Sequence, residues 1–465
     1  MERDNSATAA AQGPEIRGRS TVSLAHENVI SLRGGSSPFS VYDAYLEYTL
    51  ETEPPAIYHR WSAITSISAL LGRSLYIRHG HFRIFPNLYT MLQGDTGSRK
   101  SSAIKMVKQL LEGAGYESFA AEKTSKEKFL LDLEGLQVDG EEALSGSAAR
   151  KAANYDSLTE RNLWGEENYE FTPPREVFIC ADEFNDFSGS GNMEFYTTLG
   201  NFWDWDNPKI PYRSRVKNSR SISIFQPTVS ILSGNTPENF ARAFPPEIMG
   251  QGFLSRLLLI HGKRREKSIA FPENPPQDET DKMVEHFRRV LGRSREGLFE
   301  IDGEAKELLT LIYDKWTDLP DIRFKSYSNR RFTQLLKLCL ITSVAMWKDE
   351  VDLEAVLYSN TILTAAENVM PSGLGEFGKA RNSDVTHKVM QFLQGARKPI
   401  NYKEIWNVVR NDLDKPAALQ DLLQGLNAAE KVQHVPGGTG GWLPRVALVS
   451  DPEFVDFTLL SEEER

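Results

Sequence analysis

The chain has 465 residues, enough for two or three domains, and its 40% hydrophobic and 25% charged fractions exclude wholesale disorder. A net charge of −10, from 54 Lys plus Arg against 64 Asp plus Glu, argues against a surface coated in positive charge to grip duplex nucleic acid, but not against a local basic element. Cys180 and Cys339 make no disulfide framework or zinc cluster, and no apolar run reaches the roughly 18–20 residues of a membrane span, so a cytoplasmic protein with no membrane partner is expected.

Residues 1–38 are rich in Ser, Ala, Gly and charge without periodic apolar spacing and read as a disordered arm. Residues 39–74 read as an N-terminal helical collar, with Ile57, Trp61, Ile64, Ile67 and Leu71 at helix spacing. From 75 to 274 the pattern is that of an α/β core. Leu75–Ile77 and Leu88–Leu92 read as strands, and the second ends at Gly94 with a helix over 101–112 following directly. A helix near 125–133 precedes an acidic insertion at 132–176, which carries eleven acids against four bases. Strands over 177–181, 228–232 and 257–260 return to the core. Apolar strands that end in polar residues and alternate with helices predict a mainly parallel sheet whose C-terminal edge is the active face. Residues 275–380 read as a helical lid.

The strongest motif is Gly94-Asp95-Thr96-Gly97-Ser98-Arg99-Lys100-Ser101-Ser102. Phosphate cradling needs small residues whose backbone N–H groups turn toward oxygens, a lysine for the β/γ phosphates and a hydroxyl for Mg²⁺, all at a helix N-terminus. ATP and Mg²⁺ are therefore the expected ligands. Arg99 departs from the generic pattern, which has glycine there. Asp182-Glu183, at the end of an apolar strand about eighty residues on, supplies a candidate metal carboxylate (Asp182, beside Ser101) and a candidate base (Glu183). Asn235, ending the next strand, suits a γ-phosphate or water sensor, although Gly-Asn-Thr-Pro is also a good turn. Arg256, before the last strand, suits an arginine reaching a neighbouring subunit's nucleotide, or an edge arginine on a surface acid. Arg330 and Arg331 are candidates for a second sensor or a solvated helix start.

Between the acidic strand and the Asn235 strand, residues 209–226 hold five basic residues and no acid. Alternation about Lys217 predicts a β-hairpin. Lys209, Arg213, Arg215, Lys217 and Arg220 would track phosphates and Tyr212 would stack on a base, or the hairpin is an ordinary solubilising one. Residues 381–446 read as helix, short strand, two helices and a glycine-rich wing, a winged helix open to DNA or protein partners. Residues 447–465 form an acidic tail, which with the insertion accounts for the negative charge and leaves the remainder slightly basic.

On PNLYTMLQGDTGSRKSSAIK, the Thr124-Ser125-Lys126-Glu127 helix start, FICADEF, and SILSGNTPE followed by GFLSRLLLI, the chain resembles the phage and prophage P-loop ATPases of primase–helicase-like proteins over about residues 40–370. That family commonly carries Arg before the loop lysine, so Arg99 fits it. The order of hairpin, sensor Asn and Leu-Ser-Arg is also similar to the AAA+ motors of replicative helicases. The resemblance implies a homo-oligomeric ring, hexameric by preference, that hydrolyses ATP and translocates on single-stranded DNA, with replication proteins as possible partners of the winged helix. Two other readings stand beside it: a replication initiator or helicase loader acting as a DNA-binding switch, and a nucleotide-gated non-catalytic scaffold, against which the presence of both Lys100 and Glu183 argues.

Overall fold

Ser40 caps the first helix, its hydroxyl accepting from the N–H groups of Tyr42 and Asp43, and α1 (Val41–Tyr48) follows. A computed structural model describes residues 40–135, 174–215, 221–244, 252–262, 267–293, 297–319, 321–374, 383–394, 399–413, 415–428, 432–435, 441–444 and 450–461. The arm at 1–38, most of the acidic insertion, and Lys217 and Arg220 lie outside them.

Helix α2 (Ala56–Leu71) is buried from Tyr58 to Leu71 on every side. It is a core helix, and several of its polar residues find partners inside, although Ser62 Oγ and Ser66 Oγ are buried without one. Thr65 donates to the Trp61 carbonyl and shares a hydrogen bond with the Thr90 hydroxyl, each at 2.7 Å, and Arg60 donates to the Tyr358 hydroxyl. Strands β1 (Leu75–His79) and β2 (Phe82–Ile84) pair as an antiparallel hairpin, and β3 (Tyr89–Gln93), wholly buried, leads to α3 (Lys100–Gly113). After α4 (Lys126–Glu134) come β4 (Glu176–Ala181), α5 (Phe184–Ser188) and α6 (Met193–Trp203). A short antiparallel pair, β5 (Tyr212–Arg215) with β6 (Ser221–Ile224), then precedes β7 (Thr228–Asn235), α7 (Pro237–Ala243) and β8 (Leu257–His261).

Strands β3, β4, β7 and β8 form a four-stranded, all-parallel sheet in the order β4-β7-β3-β8. The fold class is therefore α/β, and continuous apolar runs such as Leu257-Leu258-Leu259-Ile260 are what burial on both faces demands. Phe119 adds a single parallel bridge to Phe178 on the outer side of β4.

The chain continues through α8 (Gln277–Leu291), β9 (Gly297–Leu298), which joins β1, then α9 (Gly303–Lys315), α10 (Lys325–Ser328), α11 (Arg331–Ala345) and α12 (Leu353–Gly373). Helix α12 packs on β8 and runs through Pro371. The acidic end of the chain is not simply a tail. Phe454 and Leu460 are buried, and Asn360 of α12 donates to Ser450 Oγ at 2.8 Å and to the Phe454 carbonyl at 2.7 Å.

A second core is built by α13 (Ser383–Gln394), α14 (Tyr402–Val409), α15 (Pro416–Ala428) and the antiparallel strands β10 (Val432–Val435) and β11 (Gly441–Pro444), around Val389, Ile405, Leu419, Leu423 and Val432. Ile400 and Trp442 exchange backbone hydrogen bonds and extend this ladder by one bridge. Among the described residues no helix is long and apolar enough to cross a membrane.

Candidate functional site

The parallel sheet brings Gln93, Asn235 and the residues after Ala181 to one edge. Gln93 and Asn235 are register partners, and β7 lies between β3 and β4. Asn235 is thereby set between the Gly94–Ser101 loop and the Asp182-Glu183 pair. Gly234 permits the closeness: a Cβ there would meet the Asp182 carbonyl oxygen at 2.5 Å and Lys100 Cβ at 3.5 Å.

The loop leaves β3 through Gly94 and exposes Asp95, Thr96 and Gly97. Two of its residues are left-handed, Gly97 at φ +84 and Arg99 at φ +66. Arg99 thus holds the conformation that glycine would adopt without penalty, and its Nε lies 2.6 Å from Glu53 Oε2. Tyr58 of α2 braces the loop's root, donating to the Gln93 carbonyl at 2.6 Å. Lys100 is only 6% exposed and points back into the loop, donating to the carbonyls of Gly94 at 2.7 Å and Asp95 at 3.0 Å and to Ser98 Oγ at 3.2 Å. Burial lowers its pKa, and Glu183 works in the opposite direction. Ser101 and Ser102 occupy the first turn of α3, half-buried.

Asp182 is held by Lys105 of α3, whose Nζ lies 2.8 Å from Oδ2. Glu183 precedes α5; its pKa is raised by burial, and Lys100 pulls it down. Its Oε2 is buried without a hydrogen-bond partner. Asn235, fully buried, accepts from the Thr236 N–H at 2.9 Å and donates to Asn185 Oδ1 at 3.2 Å, while Asn185 donates to the Asn239 carbonyl at 2.9 Å. Asn185, Tyr58, Lys105 and Glu53 were not singled out by sequence. Its place two residues after Glu183, in the first turn of α5, is the one signal for Asn185.

Arg256 lies away from the loop. It precedes β8, at the edge of the sheet opposite the loop, and is 7% exposed. Its guanidinium donates to the Gly252 carbonyl at 2.5 Å and to Asp204 at 2.8 Å, as an edge arginine on an acid would. Arg330 shares Asp204 at 3.0 Å. Arg331 is buried in an ion pair with Glu367 at 2.9 Å and bonds Asn360 and Thr364. Neither arginine makes a contact with the loop that would suit a second sensor.

In the β5–β6 hairpin, Lys209, Arg213 and Arg215 are exposed, but Tyr212 turns inward, edge-on to Phe202 at 4.8 Å and Trp205 at 5.8 Å. Its ring is half-buried against these neighbours. A cavity of about 270 Å³ lies beyond the outer edge of β4, between Phe119, Phe129, Leu133, Arg175 and Val177, and contains none of the site residues.

No protein-family model matches the chain, and no curated protein is detectably similar to it.

Proposed function

We propose that the protein is an ATP-hydrolysing motor with an AAA+-like P-loop core, forming a ring, hexameric by preference, that translocates on single-stranded DNA as a phage-type replicative helicase. The observation that carries this reading is the meeting of Lys100, Asp182-Glu183 and Asn235 at one edge of three adjacent parallel strands, around a loop with two left-handed residues at a helix N-terminus. Open parallel sheets bind ligands at this edge, and helix N-termini favour phosphate.

The residues suit a magnesium nucleotide. Glu183 keeps a buried oxygen without a partner, and no described group of three or more His, Cys, Asp or Glu would hold a metal alone. Ser101 and Asp182 would hold the ion together with phosphate oxygens, and bound Mg²⁺ supplies neutralisation of the phosphate charge. Lys100 would exchange its loop carbonyls for β/γ phosphate oxygens. Glu183, with burial raising its proton affinity, would accept a proton from the attacking water, and Asn235, its amide fixed by Asn185, would orient that water.

The exposed cations of β5–β6 support contact with a single strand. The order helix, strand, helix, helix, hairpin at the C-terminal end supports a winged helix open to DNA or replication proteins. The second reading is an initiator or loader acting as a switch, which the bonds of Arg256 within its own chain suit. A forked duplex separates the two. A motor displaces the strand with ATP and no other protein, whereas failure to displace it despite hydrolysis sinks the helicase reading.

A further inference from the structure

The turn between β1 and β2 reads Arg78-His79-Gly80-His81-Phe82-Arg83, within a stretch, residues 74–94, that contains no acid. His79 pairs with Phe82 and Arg78 with Arg83, leaving Gly80 and His81 as a two-residue loop with Gly80 at φ +61. Alternation puts Phe82 and His79 on the face whose inner end is the buried pair Ile77 and Ile84, and the two arginines on the other. Phe82 is 67% exposed, and Arg78, His79 and His81 are exposed around it.

The hairpin is mounted rigidly and beside the basic one. Arg83 binds Asp206 through its backbone N–H and its guanidinium, each at 2.8 Å, and Asp206 sits in the connection that leads through Lys209 into β5. Arg83 therefore neutralises the Asp206 carboxylate, while Arg78 and His81 stay exposed to solvent. Cations interleaved with an outward aromatic are the chemistry of a single-strand platform, where base stacking and phosphate attraction combine. Tyr212, by contrast, is turned inward.

We infer that the β1–β2 tip is a second contact for single-stranded nucleic acid, with Phe82 stacking on a base and Arg78 and His81 facing phosphates, alongside Arg213 and Arg215. This rests on the reading of the protein as a single-strand motor. The cations and the absence of acids favour a polyanion over a protein partner.

Anisotropy of labelled oligo-dT with the full chain tests it, alongside binding of a fluorescent ATP analogue. Phe82→Ala weakens oligo-dT binding roughly tenfold and Phe82→Trp retains it, both with unchanged analogue binding. Arg78→Glu also lowers the dependence of affinity on salt. Equal affinity in Phe82→Ala overturns the contact and leaves the motor reading intact. So does dispersal of the oligomer by Phe82→Ala with DNA affinity unchanged, which makes the tip a subunit interface. A wild-type chain that hydrolyses ATP but ignores oligo-dT removes the motor reading and this contact together.

Discussion

Lys105 holds Asp182: the ammonium lies 2.8 Å from the carboxylate, on the same helix that begins with Lys100. The partner of the candidate metal ligand is thus an exposed cation that a divalent ion would have to displace. Both groups are substantially exposed, so solvent screens the pair and holds it weakly.

Lys105→Ala is therefore expected to tighten divalent-ion binding by no more than about fivefold in the presence of ADP, read by Mn²⁺ electron paramagnetic resonance. Lys105→Arg should leave it unchanged. Weaker Mn²⁺ binding in Lys105→Ala would mean that the lysine supports the site in some other way.

Glu183 carries a pH signature. Burial raises its folded pKa above the usual carboxylate value, so its contribution to stability is present at low pH and is lost as pH rises through the folded pKa. Glu183→Gln removes that loss. The melting temperature of the variant is expected to exceed that of the wild type at about pH 8, with the gap closing toward about pH 5. A gap that widens on acidification would show that the sign is wrong. The same variant should bind nucleotide and lose hydrolysis.

Asn185 should act through Asn235. Asn185→Ala frees the amide of Asn235, and with it the orientation of the attacking water, so kcat is expected to fall by about tenfold while nucleotide affinity holds. A change confined to affinity would give Asn185 a binding role instead.

Arg99 is conformationally strained, since a left-handed non-glycine residue costs about 1–2 kcal/mol. Arg99→Gly relieves this but loses the Glu53 ion pair and loosens the unfolded chain, so its stability is expected to stay within about 1 kcal/mol of wild type. Arg99→Val, β-branched at positive φ, should destabilise by about 2 kcal/mol and abolish nucleotide binding. Chemical denaturation distinguishes the two.

The four parallel strands were legible in the sequence because burial on both faces leaves short apolar runs such as Val229–Leu232, each stopping at the polar residue that marks the edge. The residues of that edge were legible for the same reason. Helix α2 was not, because a stripe of Ile57, Trp61, Ile64 and Ile67 looks amphipathic. Only tertiary partners, Tyr358 for Arg60 and Ser230 for Ser68, make its polar side tolerable inside. The enclosure of Arg256 depends on Asp204, remote in sequence, and local pattern carries no trace of it. At the chain's end, acidic composition masked the anchors Phe454 and Leu460.

The measurement that bears most directly on the account is steady-state ATP hydrolysis with and without oligo-dT, in wild type and Lys100→Ala. Lys100 makes its hydrogen bonds inside the Gly94–Ser101 loop, so its loss should remove the phosphate partner and leave the fold. The account predicts hydrolysis stimulated by oligo-dT in the wild type and abolished in Lys100→Ala. Hydrolysis that persists in Lys100→Ala, or a wild-type chain that does not hydrolyse ATP, would contradict it.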